Sequence, residues 1–191
     1  MNQKYIDKDQ WIILEKGFNP DTVKSSESIF SIGNGSMGQR ANFEEQYTGP
    51  TFQGSYIGGV YYPDRTRVGW WKNGYPEFFA KVLNAPSWIG IDVRVDGESI
   101  DLATATVHNF QRILDMQKGC YNRNFEITTP AGVRLQVSTT RFLSLKRTEV
   151  GAIKYAVTPI NQNIDLELCS YLDGIIVNQD SNWDNPFWKP L

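Results

Sequence analysis

Ile89-Gly90-Ile91-Asp92-Val93-Arg94-Val95-Asp96-Gly97-Glu98 is the stretch whose reading decides the fold. Ile89, Ile91, Val93 and Val95 alternate with Gly90, Asp92, Arg94 and Asp96. A period of two sends one set of side chains to a core and the other to water, which is the pattern of a half-buried β-strand. Asp96-Gly97 follows at once. Both central positions of a type I′ turn need positive φ, so this pair predicts a tight hairpin. Glu98 to Leu102 is then the returning strand, with Ile100 and Leu102 inward.

The same pattern continues downstream. Phe110, Leu114 and Met116 fall on one face of a strand starting near Val107, Lys118-Gly119 turns, and Tyr121, Phe125 and Ile127 line the return. Pro130-Ala131-Gly132 makes the next turn. Alternation then recurs through Val133, Leu135 and Val137, through Ile153, Tyr155 and Val157, and through Ile164, Leu166 and Leu168. Upstream, Trp11 to Leu14, Ser28 to Ile32, Met37 to Ala41, Gly54 to Tyr62 and Phe78 to Leu83 read as strands. No apolar stripe at helical spacing is present, and Pro20 to Ser28 is expected to hold at most one helical turn. Short strands joined by short turns predict an all-β, antiparallel two-sheet sandwich. One long irregular stretch, Pro63 to Pro76, interrupts it.

Composition narrows the function. With 191 residues, 40% hydrophobic and 13% aromatic, the chain can build a large core. A net charge of −2 offers no footprint for nucleic acid and no basic cluster for a membrane surface. The polar N-terminus and the lack of a long apolar run point to the cytoplasm. Cys120 and Cys169 fit no metal-binding spacing and are expected to be reduced. Asn34-Gly35-Ser36 matches a glycosylation pattern but reads better as a turn.

Six segments, in order, carry a resemblance. The first is Glu27-Ser28-Ile29-Phe30-Ser31-Ile32-Gly33-Asn34-Gly35-Ser36-Met37-Gly38-Gln39-Arg40 with Asn42-Phe43-Glu44-Glu45. Gly54-Ser55-Tyr56-Ile57-Gly58-Gly59-Val60-Tyr61 and Leu83-Asn84-Ala85-Pro86-Ser87-Trp88 follow. Arg112-Ile113-Leu114-Asp115-Met116, Arg141-Phe142-Leu143-Ser144 and Asp173-Gly174-Ile175-Ile176-Val177-Asn178 complete the set. In this combination the chain resembles the N-terminal β-sandwich domain of glycoside hydrolase family 65, the α-glucoside phosphorylase group.

That resemblance implies a many-stranded super-sandwich, here truncated at its C-terminal end, as one domain over residues 1–191. It implies a catalytic (α/α)6 barrel as partner, with this chain packing on it and supporting a homodimer. It implies an α-linked disaccharide such as maltose, trehalose or kojibiose as substrate, cleaved with inversion by phosphorolysis or hydrolysis, with inorganic phosphate as co-substrate in the first case and no other cofactor. The catalytic acid of the family lies on the barrel, so no catalytic residue is expected here and the fragment alone should be inactive.

The residues themselves agree. Asp92, Asp165 and Glu167 fall on polar strand faces. Glu44 and Glu45 are neighbours and, on a strand, would point to opposite faces and share no site. His108, the only histidine, reads as a polar strand residue, because Gly33 to Gly38 is no nucleophile elbow. Those glycines also lack the strand-to-helix setting of a dinucleotide loop. No metal site is expected: one histidine and two distant cysteines exclude zinc, and Asp180 to Asp184 lacks the glycine and distal ligand of a calcium loop. Trp70, Trp71 and Trp88 are the candidates for sugar stacking or for a domain interface, since aromatic rings serve both. A second reading stays open, a free-standing carbohydrate-binding module that would also use Trp183 and Trp188.

Overall fold

A single cross-strand row organises the molecule: Glu15, Arg112, Arg123, Thr139 and Tyr155 lie opposite one another on five neighbouring strands. The computed structural model describes residues 5–65, 74, 76–176 and 178. In chain order the elements are β1 (Ile6–Lys8), β2 (Ile12–Lys16), a 3-10 turn (Pro20–Thr22), α1 (Val23–Ile29), β3 (Ile32–Gly33), β4 (Met37–Gln39) and β5 (Ser55–Ile57). Then come β6 (Tyr61–Arg65), β7 (Phe78–Val82), β8 (Ile91–Val95), β9 (Glu98–Ser99), β10 (Thr106–Asp115) and β11 (Cys120–Thr128). β12 (Arg134–Leu143), β13 (Gly151–Pro159) and β14 (Leu166–Ser170) complete the order.

All strand ladders are antiparallel. The main sheet runs β1-β2-β10-β11-β12-β13. A second sheet, β14-β8-β9, faces one half of it, and β3-β4-β5 forms a small third sheet. The chain is therefore an all-β antiparallel sandwich. Asp96 (φ 52) and Gly97 (φ 86) form the expected turn with positive φ at both positions.

Alternation dictates the core. Phe125, Ile127, Leu135 and Val137 from the main sheet meet Val93, Val95, Ile100 and Leu102 from the β8–β9 side. Each such side chain contributes about 1.5–3 kcal/mol by leaving water. Val107 and Phe110 both face this cluster although they are three positions apart, an odd spacing. A bulge between His108 and Gln111, with Asn109 at φ 51, absorbs the extra residue. A second, smaller cluster joins Phe30, Ala41 and Tyr121 with Ile6, Ile13, Ile32 and Leu114. The polar row lies between the two.

Several expectations need correction. Ser28–Ile32 is not a strand: α1 runs to Ile29, and only Ile32–Gly33 pairs. Nor is Pro20–Ser28 a single turn, because a 3-10 turn capped by the Asn19 side chain leads into a seven-residue helix. The helix escaped the periodicity test because its buried side chains are Val23, Ser26 and Glu27, which show no apolar stripe. Gly54 to Tyr62 divides into β5 and β6 around a turn at Gly58–Gly59. Pro63 to Arg65, read as irregular, belong to β6. Met116 is exposed rather than inward, and Arg112 shares the inner face with Phe110 and Leu114.

Candidate docking surface

The segment Arg40 to Gln46 runs between the two core clusters, with Ala41 in one and Phe43 in the other. Irregular backbone inside a protein must find hydrogen-bond partners, and here arginines from the main sheet supply them. Arg141 donates through Nη1 to Arg40 O (3.1 Å) and through Nη2 to Asn42 O (2.8 Å), and through Nε to Glu44 Oε1 (3.0 Å). Arg123 Nη2 pairs with Glu44 and with Glu45 (2.7 Å to Oε2). The Tyr155 hydroxyl donates to Glu45 Oε1 at 2.6 Å. Arg112 lies 3.5 Å from Glu15 Oε2, and Ser26 Oγ donates to Glu15 Oε1 at 2.9 Å.

Glu44 and Glu45 therefore do share a site, contrary to the strand-based expectation. They sit in a bend, where the two-residue alternation does not hold, and both carboxylates converge on Arg123. Most described acidic residues are solvated or part-buried, as Asp165 and Glu167 are, but Glu15, Glu27, Glu44, Glu45, Asp64 and Asp115 are buried. The guanidinium faces are used as well. Arg112 and Arg123 stack on Phe43 at 4.8 and 4.9 Å, and Arg141 on Tyr121 at 5.3 Å.

Burial and charge set the proton affinities. Burial raises the Glu44 carboxyl, but Arg141 and Arg123 outweigh it and hold its pKa below the usual range. For Glu15, burial dominates over Arg112 and raises the pKa. Burial pulls Arg123 down, and Glu45 with Glu44 more than offset that, leaving it firmly cationic. Burial, then Glu45, pushes the Tyr155 phenol up.

The seam continues as hydrogen bonds through the resembling segments. Glu27 accepts from Thr51 Oγ1 (2.5 Å) and Phe52 N (2.6 Å). Asn42 donates to Phe52 O (3.0 Å) and accepts from Gly54 N (3.2 Å). Gln39 donates to Gly54 O (3.0 Å) and accepts from Ser55 Oγ (2.6 Å). Ala85 N donates to Ser55 O, Ser87 pairs with Asp173, and the Asn178 side chain bridges Asn84 N (2.9 Å) and Val82 O (2.8 Å). Asn34 accepts from Ser36 N and Met37 N and donates to Ser144 O and Thr148 O, so its amide is committed to the turn.

This framework ends at the base of the β6–β7 hairpin. On one face of the hairpin Tyr61 opposes Val82, Pro63 opposes Ala80, and Arg65 opposes Phe78, all exposed. Tyr61 is 54% exposed. Beside it, residues 168–173 pair antiparallel with 87–93, and Leu168, Leu172 (77%) and Ile175 (82%) are exposed. Exposed large apolar side chains gathered on neighbouring strands are candidates for an interaction site. Below we call it the ribbon.

Of the three tryptophans expected at a site, Trp70 and Trp71 lie outside the described residues. Trp88 is half-buried, and a Cβ at Gly151 would come within 2.6 Å of its ring, so the indole packs on the start of β13. His108 is an exposed strand residue, 3.1 Å from Thr128 Oγ1. Both cysteines are free, and among the described residues no group of histidine, cysteine, aspartate and glutamate could hold a metal. No described helix is long and apolar enough to cross a membrane.

Residues 13–191 match the family described as "Glycosyl hydrolase family 65, N-terminal domain". The chain belongs to glycosyl hydrolase family 65. It is 44% identical to the maltose phosphorylase of Bacillus subtilis (strain 168), an alignment covering 99% of this chain and 25% of that protein. It is 34% identical to the α,α-trehalose phosphorylase of Thermoanaerobacter brockii, over 92% of this chain and 23% of that one. A solved structure from human microbiome, described provisionally as a kojibiose phosphorylase, superposes with a TM-score of 0.72 at 29% identity, covering 81% of this chain and 20% of its own. The chain thus spans about a quarter of the length of the curated relatives named here, and it corresponds to their N-terminal domain.

The ribbon was not singled out from sequence, although Tyr61, Tyr62, Phe78 and Phe79 were visible. The signal was there: alternation fails in both strands of that hairpin, with apolar residues at consecutive positions.

Proposed function

We propose that this chain is the non-catalytic N-terminal domain of an inverting α-glucoside phosphorylase that cleaves an α-linked disaccharide with inorganic phosphate. It docks on an (α/α)6 catalytic barrel through the ribbon and supports a homodimer, in the cytoplasm. The observation that carries this reading is the exposed apolar ribbon on a chain that matches only a quarter of its phosphorylase relatives. Trp88, close to the Ser87–Asp173 pairing, flanks the same surface.

The chemistry follows from what the chain holds. Among the described residues, Glu27, Glu44 and Glu45 are spent on arginines, a tyrosine, a threonine and a backbone donor, and Asp64 and Asp115 lie against Lys81 and Lys118, which leaves no carboxylate set up as a general acid. The acid then comes from the barrel, and phosphate replaces water as nucleophile, so a second carboxylate base is not required.

A complementation assay tests this. The purified chain is mixed with the remaining three quarters of the Bacillus subtilis maltose phosphorylase, and phosphate-dependent maltose cleavage is measured. Activity is expected from the mixture, none from the chain alone, and a loss of complementation when Tyr61→Asp and Val82→Asp are combined. Turnover by the chain alone, or complementation indifferent to those substitutions, would contradict the proposal.

A further inference from the structure

We infer that the outer face of the main sheet, across β10 to β13, binds a neutral oligosaccharide. The ladder places Gln111, Asn124 and Ser138 in one row, opposite one another, and Asn122 and Thr140 side by side in the next. These positions alternate with the buried set of Arg112, Arg123 and Thr139, so they point away from the core. With strands about 4.8 Å apart, three strands present amide and hydroxyl groups over a patch roughly 10 Å wide.

The polar groups there are available. Gln111, Asn124 and Ser138 make no side-chain hydrogen bond to the described residues. Thr140 Oγ1 donates to Asn122 Oδ1 at 2.8 Å, which leaves Asn122 Nδ2 with only the Cys120 sulfur at 3.4 Å, a weak acceptor. Phe142, opposite Cys120 at the end of the patch, is 42% exposed. No carboxylate or guanidinium stands among these five residues; Lys16, opposite Gln111, and Lys154, opposite Thr140, mark the two margins, and the Glu126–Arg134 pair lies two residues beyond Asn124.

Ligand chemistry follows from that composition. A face of unpaired amides and hydroxyls beside an exposed ring suits a molecule with many hydroxyls, no charge and apolar C–H faces. A sugar chain has all three. A polyanion would find only Lys16 and Lys154, at the margins, to pair with. The ribbon lies on different strands, so this site stands apart from the docking role and can fail or hold independently of it.

The test uses the 191-residue chain as it is. Isotope-labelled protein is titrated with maltoheptaose, with cellohexaose and with a sulfated glucan, and backbone and side-chain amide signals are followed. We expect saturable shifts at Asn122, Asn124 and Gln111 with at least one neutral glucan and none with the sulfated one. Asn124→Ala combined with Ser138→Ala should weaken binding about tenfold while the unfolding midpoint stays unchanged. The inference is overturned if neither neutral glucan shifts these signals at millimolar concentration. It is equally overturned if the sulfated glucan binds as well, or if the shifts map to Tyr61, Phe78 and Ile175.

Discussion

Two regions of this molecule invert the usual distribution of side chains, and they do so for opposite reasons. The seam buries arginines and glutamates, whereas the ribbon exposes aromatics and aliphatics. In the seam, every charge has partners in fixed positions: Arg123 meets Glu44 and Glu45, and Arg141 meets Glu44 and two backbone carbonyls. Buried charges persist only when paired and hydrogen-bonded. In the ribbon, Tyr61, Phe78, Val82, Leu172 and Ile175 have no cover among the described residues. The seam's ion pairs thus close within this chain, with Glu15 Oε2, Arg112 Nε and Nη1, and Arg123 Nε and Nη1 left buried without a hydrogen bond, and the ribbon stays exposed. The resembling segments fall mostly on the seam and its hydrogen-bonded continuation.

Substitutions can break or sharpen that contrast. The largest effect should come from Arg123→Ala, which leaves two buried carboxylates without their shared partner. A loss of about 3–5 kcal/mol is expected from the denaturant midpoint. A loss within 1 kcal/mol would mean that the seam is dispensable. Replacing Glu44 and Arg141 together by Leu and Met removes a charge pair, a change that is often neutral in other proteins. Here it should still cost at least about 1 kcal/mol, because Asn42 O loses its donor at about 1–3 kcal/mol, while Arg40 O keeps Gln39 Nε2.

Gly151→Ala should cost about 1–3 kcal/mol, since the new methyl would meet the Trp88 ring at 2.6 Å and Leu143 at 3.0 Å. Calorimetry on that variant, with Trp88→Leu as the relieving partner, checks it.

Acid should separate the two seam glutamates. The folded-state pKa of Glu44 is depressed, so its contribution is present above the unfolded value of about 4.3 and is lost as pH falls through the folded value. Glu15 has the opposite sign. Its folded pKa is raised, so its contribution is present below the unfolded value and is lost as pH rises through the folded one. Glu44→Gln should therefore flatten the acid limb of a stability–pH curve, and Glu15→Gln should steepen it.

The smallest effect belongs to the ribbon. Tyr61→Ser and Ile175→Ser should each change stability by no more than about 0.5 kcal/mol, while reducing self-association in sedimentation. A core-sized loss from Tyr61→Ser would place the hairpin within the fold's own interior.

The alternating strands were legible in sequence because their rule is local: Phe125, Ile127, Leu135 and Val137 are where the period of two puts them. Arg112, Arg123 and Arg141 obey the same rule, but a charged side chain gives no local signal of an inward position. Their inward placement depends on carboxylates 78 or more residues away for the Arg123 and Arg141 pairs, a relation that no local pattern carries. α1 was hidden because it buries Ser26 and Glu27 rather than an apolar stripe. At the candidate surface, attention to tryptophans drew the reading to Trp88, which packs on Gly151, and away from Tyr61 and Phe78. Exposure on both sides of a hairpin is a property of what lies around it.

Amide hydrogen exchange compares the regions most directly, with the chain alone and then bound to the remainder of the Bacillus subtilis relative. The account predicts new protection at residues 61–62, 78–82 and 168–176, with 40–46 and 121–125 already protected in the chain alone and unchanged on binding. Protection gained at 40–46 with none along 168–176 would contradict it.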